Sequence, residues 1–392
     1  MTPAARVQTA IELLDKVIAS ARAKGAPADR ILADWFKNNR FAGSKDRRAI
    51  RELVYAAIRA CGPVPENGRA AMLRLAEADT SIATLFDGSN YGPQPVAEGE
   101  RSASGGVAPL WLEEAVSASG VEADEAEGLL GRAPLDLRVN TLKADHASLS
   151  LPVAAEATAA PHGLRLPSGT PVEQWAEFRE GKIEVQDTGS QLACLAVGAK
   201  PGETVIDLCA GGGGKTLALA AAMDNLGRIV ATDTDRSRLS RLMPRAERAG
   251  ATNIETRLLD PGKELEALAD LAGQADAVLI DAPCSGTGTW RRNPEARWRL
   301  DQQELDRLTA IQSRLLDIAA ALVKPGGRLV YVTCSLLDAE GAGQFDAFLA
   351  RNAGWTAATP SLPLGNPRGQ GIRLTPKVDD TDGFFIACAE KA

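Results

Sequence analysis

The chain has 392 residues, 45% of them hydrophobic and 24% charged, with a formal net charge of −7. That balance belongs to a folded globular protein and excludes a disordered chain, while the length is too great for one ordinary core, so two or three domains are expected. No uninterrupted apolar run reaches the roughly 18–20 residues that a membrane span needs.

The N-terminus, MTPAARVQTAIELLDKV, has acids inside its first apolar stretch and lacks an apolar block followed by a small-residue cleavage site. It reads as a helix rather than a signal peptide, and a cytoplasmic protein is expected. Apolar residues return at three- and four-residue intervals in AIELLDKVIASA and DRRAIRELVYAAIRA, which predicts an all-helical domain over residues 1–87. Asp29 and Ser44 supply N-cap signals. Residues 1–60 carry twelve Lys and Arg against six Asp and Glu. A basic end on an acidic protein fits RNA docking, and it fits a solvated helical surface equally well.

Residues 88–108, rich in Gly, Ser and Pro, suit an exposed linker. Residues 109–185 are mixed, with a helix start at PLWLEEAV and a strand in PLDLRVNTL, and predict a small α/β domain. From 186 to 392 strands alternate with helices: ETVIDL, GRIVATD, NIETRLL, DAVLID and GRLVYVT are separated by segments with apolar faces. Such alternation predicts a doubly wound, mostly parallel sheet with helices on both faces. The late segments GWTAATP and GFFIACAE are expected to add edge strands, one of them antiparallel.

The first of these strands runs into Cys209-Ala210-Gly211-Gly212-Gly213-Gly214-Lys215-Thr216 and then a helix. Glycines at such a turn let backbone N–H groups approach a ligand at the carboxyl edge of the sheet. A P-loop also ends in GKT, but it needs a glycine where this chain has Cys209. Asp233 ends the second strand, where a carboxylate can accept both hydroxyls of a ribose. With Asp207, Asp260 and Asp281 it makes four acids following four strands, a pattern that suits an adenosine-bearing ligand. A dinucleotide-dependent dehydrogenase remains open at this point.

Six cysteines are scattered without a CxxC pair, so neither a disulfide scaffold nor a metal site is supported. The two histidines, His146 and His162, lie outside the motif-bearing half, which removes Ser-His-Asp and Cys-His mechanisms. Cys284, in DAPCSGTG, and Cys334, in YVTCS, both sit just past strand ends at the cofactor edge. Carbon 5 of cytosine is too weak a nucleophile to take a methyl group from a sulfonium unaided. A thiolate added at carbon 6 makes that carbon nucleophilic, and this is covalent catalysis. A carboxylic acid at the N3/N4 edge of the ring would assist, and Asp281 is the candidate.

The sequence resembles the RNA cytosine-carbon-5 methyltransferases, in particular the bacterial ribosomal RNA branch of Sun/Fmu (RsmB) type. The motifs that carry the likeness are LRVNTLKAD, KIEVQDTGSQ, DLCAGGGGKT, DAPCSGTGTWRRNPE, YVTCSLL and RLTPKVDDTDGFFIA, in that order. The resemblance implies a Rossmann-like methyltransferase domain behind an antiterminator-type (NusB-like) helical RNA-binding bundle. It implies S-adenosylmethionine held by Cys209, Ala210, Gly211, Gly212, Gly213, Gly214, Lys215, Asp233, Asp260 and Asp281. Cys334 would be the nucleophile and Cys284 the cysteine assisting release, with Lys215 beside the cofactor and Asp281. DNA cytosine methyltransferases use the cysteine of the Pro-Cys pair instead.

Two positions depart from the family pattern. The usual Ala-Pro-Gly-Gly of the cofactor loop is Gly211-Gly212-Gly213-Gly214, which loses a proline and gains flexibility. The acidic Glu-Glu-Asn after the nucleophile motif has become Ala339-Glu340-Gly341.

WRRNPEARWR places Arg291, Arg292, Arg297 and Arg299 beside two tryptophans, right after the Cys284 motif. Arginine with aromatics suits phosphate contacts and stacking on a splayed nucleotide, and the target cytosine would have to leave its stack. The expected partner is RNA, small-subunit ribosomal RNA before transfer RNA, bound by a monomer without metal or membrane. A non-catalytic RNA-binding or ribosome-assembly protein is the rival of another class.

Overall fold

Thr2 opens helix α1 (Pro3–Arg22): its hydroxyl accepts the Ala5 N–H at 3.2 Å, and proline takes the first turn, where its missing N–H is not needed. The computed structural model describes residues 1–392. It separates into two units, residues 1–131 with 289–301, and residues 132–288 with 302–392.

In the first unit, α1 buries Val7, Ala10, Ile11, Leu14, Val17 and Ile18, an apolar face wide enough for a central helix. Helices α2 (Ala28–Asn38), α3 (Ser44–Ala60) and α4 (Gly68–Ala78) supply the other side of that core through Leu32, Phe36, Ile50, Val54, Ile58 and Met72. The expected caps shift, by two residues at α2 and by one at α3. Pro27 and Gly43 hold the cap positions, and Asp29 and Ser44 fall inside their helices. The donors are met from elsewhere: Glu295 accepts the Ala28 N–H at 2.9 Å, and Asp46 reaches back to the Gly43 N–H at 3.2 Å.

Residues 88–108 have no regular structure, yet they are held along α4. Arg69 pairs with Glu100 at 2.9 Å, Ala103 N–H donates to Ala70 O at 3.0 Å, and Gly62 N–H donates to Ser104 O at 3.2 Å. The expected free linker is therefore part of the helical unit, and the division falls at Gly131 rather than near 87 or 108. A loop whose backbone groups find partners on a neighbouring helix does not need water for them.

The second unit begins with a small antiparallel sheet of β1 (Leu135–Val139), β2 (Glu156–Ala157), β3 (Gly163–Leu166) and β4 (Ile183–Val185), in the order β2-β3-β1-β4. The main sheet follows. β5 (Thr204–Asp207), β6 (Arg228–Asp233), β7 (Ile254–Leu258), β8 (Ala275–Asp281) and β9 (Val323–Thr333) are parallel in the order β7-β6-β5-β8-β9. β10 (Trp355–Ala358), β11 (Asn366–Arg368), β12 (Gly371–Leu374) and β13 (Phe384–Lys391) complete nine strands.

Side chains alternate between two cores. Val205, Ala277 and Val330 face one, with the helices Thr188–Val197 and Gly214–Ala222 above them. Ile206, Val278 and Leu329 face the other, covered by helices Gln302–Leu322 and Ala342–Arg351.

The five parallel strands lie where the alternation of the sequence puts them. GFFIACAE does not lie at the edge. As β13 it runs antiparallel to β9 on one side and pairs β12 and β10 on the other. Residues 384–389 are all buried, as an interior strand with both faces covered requires. No helix is long and apolar enough to cross a membrane.

Candidate active site

Parallel strands put their carboxyl ends on one edge, so the residues after β5, β6, β8 and β9 converge by topology. After β5 the chain turns through Cys209 and Gly211, and Gly213, at φ +85°, caps the helix Gly214–Ala222. A Cβ at Gly213 would lie 2.6 Å from Leu242 Cγ, whereas one at Gly214 would meet nothing within 4 Å. One face of the loop is thus packed and the other is open backbone, a cradle that a ligand can approach.

The loop is also pinned despite its four glycines. Asp233 Oδ2 accepts the Gly211 N–H at 2.8 Å, Arg245 donates to Gly212 O at 2.7 Å, and Gly213 N–H donates to Ala210 O at 2.9 Å.

Asp233 also accepts the Asp235 N–H through Oδ1 at 2.7 Å, and each carboxylate oxygen keeps a second lone pair for a ribose hydroxyl. Asp207 is fully buried; Thr216 Oγ1 donates to its Oδ2 at 2.7 Å, while Oδ1 has no protein donor. Burial pushes its carboxyl up to about 7, with Asp281 adding to the rise and the Thr216 hydrogen bond opposing it. Asp260, past β7, is exposed. An open glycine turn, a buried acid with a spare oxygen and a ribose-competent acid fit an adenosine-bearing ligand.

Asp281 ends β8 and takes the Lys215 ammonium at 2.7 Å. Burial alone would lower the Lys215 pKa, but the Asp281 carboxylate outweighs it and holds the amine above its ordinary value. Lys215 also lies 5.7 Å over the Phe384 ring.

Cys284 and Cys334 are half-buried, and their sulfurs are 3.3 Å apart. The hydrogen bond with Cys334 and then burial raise the Cys284 thiol well above its ordinary value. At that separation either sulfur can donate to the other. The structure thus brings together Lys215, Asp281, Cys284 and Cys334.

Behind the thiols lies a set of groups that sequence reasoning missed. Ser285, Thr287, Ser335, Gln312 and Glu340 hydrogen-bond one another beneath the two cysteine loops. Repetition of Cys-Ser in both motifs was the available signal. Gly288 ties the same loops together, donating to Cys334 O at 3.0 Å and accepting the Gly383 N–H at 2.8 Å.

The arginine-rich segment behaves differently from the expectation. Residues 289–301 belong to the helical unit, where Trp290 and Arg297 are completely buried. Arg297 donates to Ile58 O at 2.8 Å, Cys61 O at 2.7 Å and Pro294 O, and Trp298 Nε1 donates to Gly62 O at 3.1 Å. Arg299 donates to Ala26 O at 2.7 Å, Arg291 is buried and Arg292 half-buried. Arg297 caps the end of α3, where free carbonyls attract a cation, and so is not presented to a phosphate.

The family model described as "16S rRNA methyltransferase RsmB/F" matches residues 194–389. The Ribosomal RNA small subunit methyltransferase B of Xylella fastidiosa (strain 9a5c) is 39% identical over 289 residues, 71% of this chain and 67% of that protein. The Probable ribosomal RNA small subunit methyltransferase B of Synechocystis sp. is 38% identical over 276 residues, 66% of this chain and 60% of its own length. The chain thus spans about two thirds or less of the curated relatives it matches. Among solved structures, PH0851 superposes with a TM-score of 0.77 at 26% identity, covering 100% of this chain and 99% of that one. A methyltransferase homolog protein from Pyrococcus horikoshii gives 0.61 at 27% identity, over 72% of this chain and all of that one.

Proposed function

Because the chain belongs to the 16S rRNA methyltransferase RsmB/F family, we propose that it moves a methyl group from S-adenosylmethionine to carbon 5 of a cytosine in small-subunit ribosomal RNA. The single observation that carries the reading is the Cys284–Cys334 pair, 3.3 Å apart at the edge that bears Lys215 and Asp281. The glycine loop 211–214, Asp207 and Asp233 hold the methyl donor, which supplies the electrophilic methyl group.

Cys334 adds as a thiolate to carbon 6 of the flipped cytosine, and the ring electrons move toward carbon 5 and N3. The proton that this charge needs comes from the Lys215 ammonium, handed on at the N3/N4 edge through the Asp281 carboxylate that it meets at 2.7 Å. Cys284 donates its S–H to the Cys334 sulfur and so stabilises the thiolate before attack. When a base takes the carbon-5 proton, the electron pair restores the ring double bond and breaks the carbon–sulfur bond. Cys284 then stabilises the departing thiolate, which is its part in release. The basic stretch 1–60 of the helical unit is assigned to RNA docking.

The test uses tritiated S-adenosylmethionine with unmodified small-subunit ribosomal RNA and transfer RNA transcripts. Wild type should yield labelled 5-methylcytosine in the ribosomal transcript. Cys334→Ala should yield none, and Cys284→Ala should accumulate a denaturant-stable RNA adduct. Full activity in Cys334→Ala would overturn the assignment, and label confined to the transfer RNA would replace the substrate.

A further inference from the structure

Glu340 lies in the turn after the Cys334 motif and is 0% exposed. Its Oε1 accepts the Ser285 backbone N–H at 2.8 Å and the Gln312 side-chain amide at 3.0 Å. Its Oε2 accepts the hydroxyls of Ser285 and of Ser335, the latter at 2.6 Å. A buried carboxylate costs several kcal/mol unless hydrogen bonds replace its water, and here the donors named are all uncharged.

Their places in the sequence are what matter. Ser285 directly follows Cys284, and Ser335 directly follows Cys334. The two hydroxyl oxygens are 3.2 Å apart, and the two sulfurs 3.3 Å apart. Gln312 holds the Pro283 carbonyl at 2.9 Å while it holds Glu340, so the clamp grips the residues on both sides of Cys284. Thr287 closes it by accepting the Leu336 N–H at 2.8 Å.

We propose that Glu340 is a positioning residue that sets the separation and orientation of the two cysteine thiols. An acid is needed because one carboxylate can accept four hydrogen bonds at once, three from the two cysteine loops and one from Gln312 on the helix Gln302–Leu322; an amide at this place would offer one acceptor oxygen and bring two unwanted donors. The negative charge has a second effect. Cys334, Glu340 and Tyr331 are the titratable groups that interact with Cys284, and Glu340 helps keep that thiol protonated. The departure from Glu-Glu-Asn in this chain retains the one acid that the clamp uses.

The proposal rests on the reaction assigned above, and its test has two separable arms. In the first, Glu340→Gln should lower kcat for methyl transfer at least tenfold, with the KM for RNA and the affinity for S-adenosylhomocysteine within twofold of wild type. In the second, which needs neither RNA nor turnover, diamide should close the Cys284–Cys334 disulfide at least tenfold more slowly in Glu340→Gln. In a Cys334→Ala background, Glu340→Gln should also shift the iodoacetamide alkylation of Cys284, followed by peptide mass spectrometry, to lower pH.

Wild-type kcat together with a wild-type disulfide rate would overturn the proposal. So would a loss of kcat matched by equal losses of cofactor affinity and thermal stability. If Glu340→Gln does not fold, Ser285→Ala removes one clamp hydrogen bond with the carboxylate in place and should show the same two effects at smaller size. Absence of methyl transfer by wild type would fail the reaction and leave the thiol readouts to judge Glu340.

Discussion

Gly288 and Gly383 touch backbone to backbone: a Cβ placed on Gly288 would lie 2.1 Å from the carbonyl oxygen of Gly383. The contact presses the end of the Cys284 loop against the turn that leads into β13, and β13 lies beside β9, the strand that ends one residue before Cys334. The last glycine of the PCSGTG motif is thus explained by close approach rather than by turn conformation.

Gly288→Ala should therefore move the Cys284 loop. Overpacking of this kind destabilises by about 1–3 kcal/mol. Urea unfolding should show that loss, and methyl transfer should fall further than stability explains, because the sulfur separation changes. Wild-type turnover in a folded Gly288→Ala protein would show that the separation does not matter.

Asp207 gives a pH signature. Burial lifts its carboxyl to about 7 in the folded protein, above its unfolded value. Folding therefore gains from the retained proton below about pH 4, and the gain is lost as pH rises to about 7. At about 1.4 kcal/mol per pH unit the swing is on the order of 4 kcal/mol. Asp207→Asn keeps an acceptor for Thr216 and does not titrate. Its stability relative to wild type, from urea unfolding, should rise between pH 4 and pH 8 by several kcal/mol; a constant difference would show that Asp207 ionises normally.

Arg297→Met should act on the fold and not on RNA affinity. It removes the donors to Ile58, Cys61 and Pro294 and leaves buried carbonyls unpaired, at a cost of about 2–4 kcal/mol. The helical unit should melt earlier, while the salt dependence of RNA binding below that melting point stays as in wild type. A shallower salt slope with unchanged stability would return Arg297 to the role of a phosphate contact.

Asp233→Ala should weaken S-adenosylhomocysteine binding, measured by calorimetry, at least tenfold. Hydrogen bonds to a charged group are worth about 1.5–3 kcal/mol, and Asp233 also fixes the Gly211 N–H. Asp233→Asn, which keeps one acceptor, should lose less. Equal affinity in all three proteins would remove the ribose from this carboxylate.

Much of this was legible because it is local. Alternating strands and helices fix five parallel strands in the right places, since strand and helix periodicities are written in neighbouring residues. Once the strands are parallel, their carboxyl ends share an edge, and Asp207, Asp233, Asp281, Cys284 and Cys334 follow from counting positions after each strand. Even Cys284 and Cys334, 50 residues apart, could be placed on one edge in this way.

Other features are set by contacts between distant segments. GFFIACAE looks like any late apolar strand; that it inserts between β9 and β12 depends on pairings with residues far from it in the chain. Arg297 reads as a surface cation because a buried, satisfied arginine and a solvated one have the same local pattern. Its three carbonyl partners include two contributed from more than two hundred residues away. Glu340 is the sharpest case. The sequence by itself determined the five parallel strands, their ligand edge and the presence of two cysteines there. Only the tertiary structure decided which acids are buried, what they hold and how far apart the thiols stand, because hydrogen-bond partners of a buried group come from whichever loops the fold brings together.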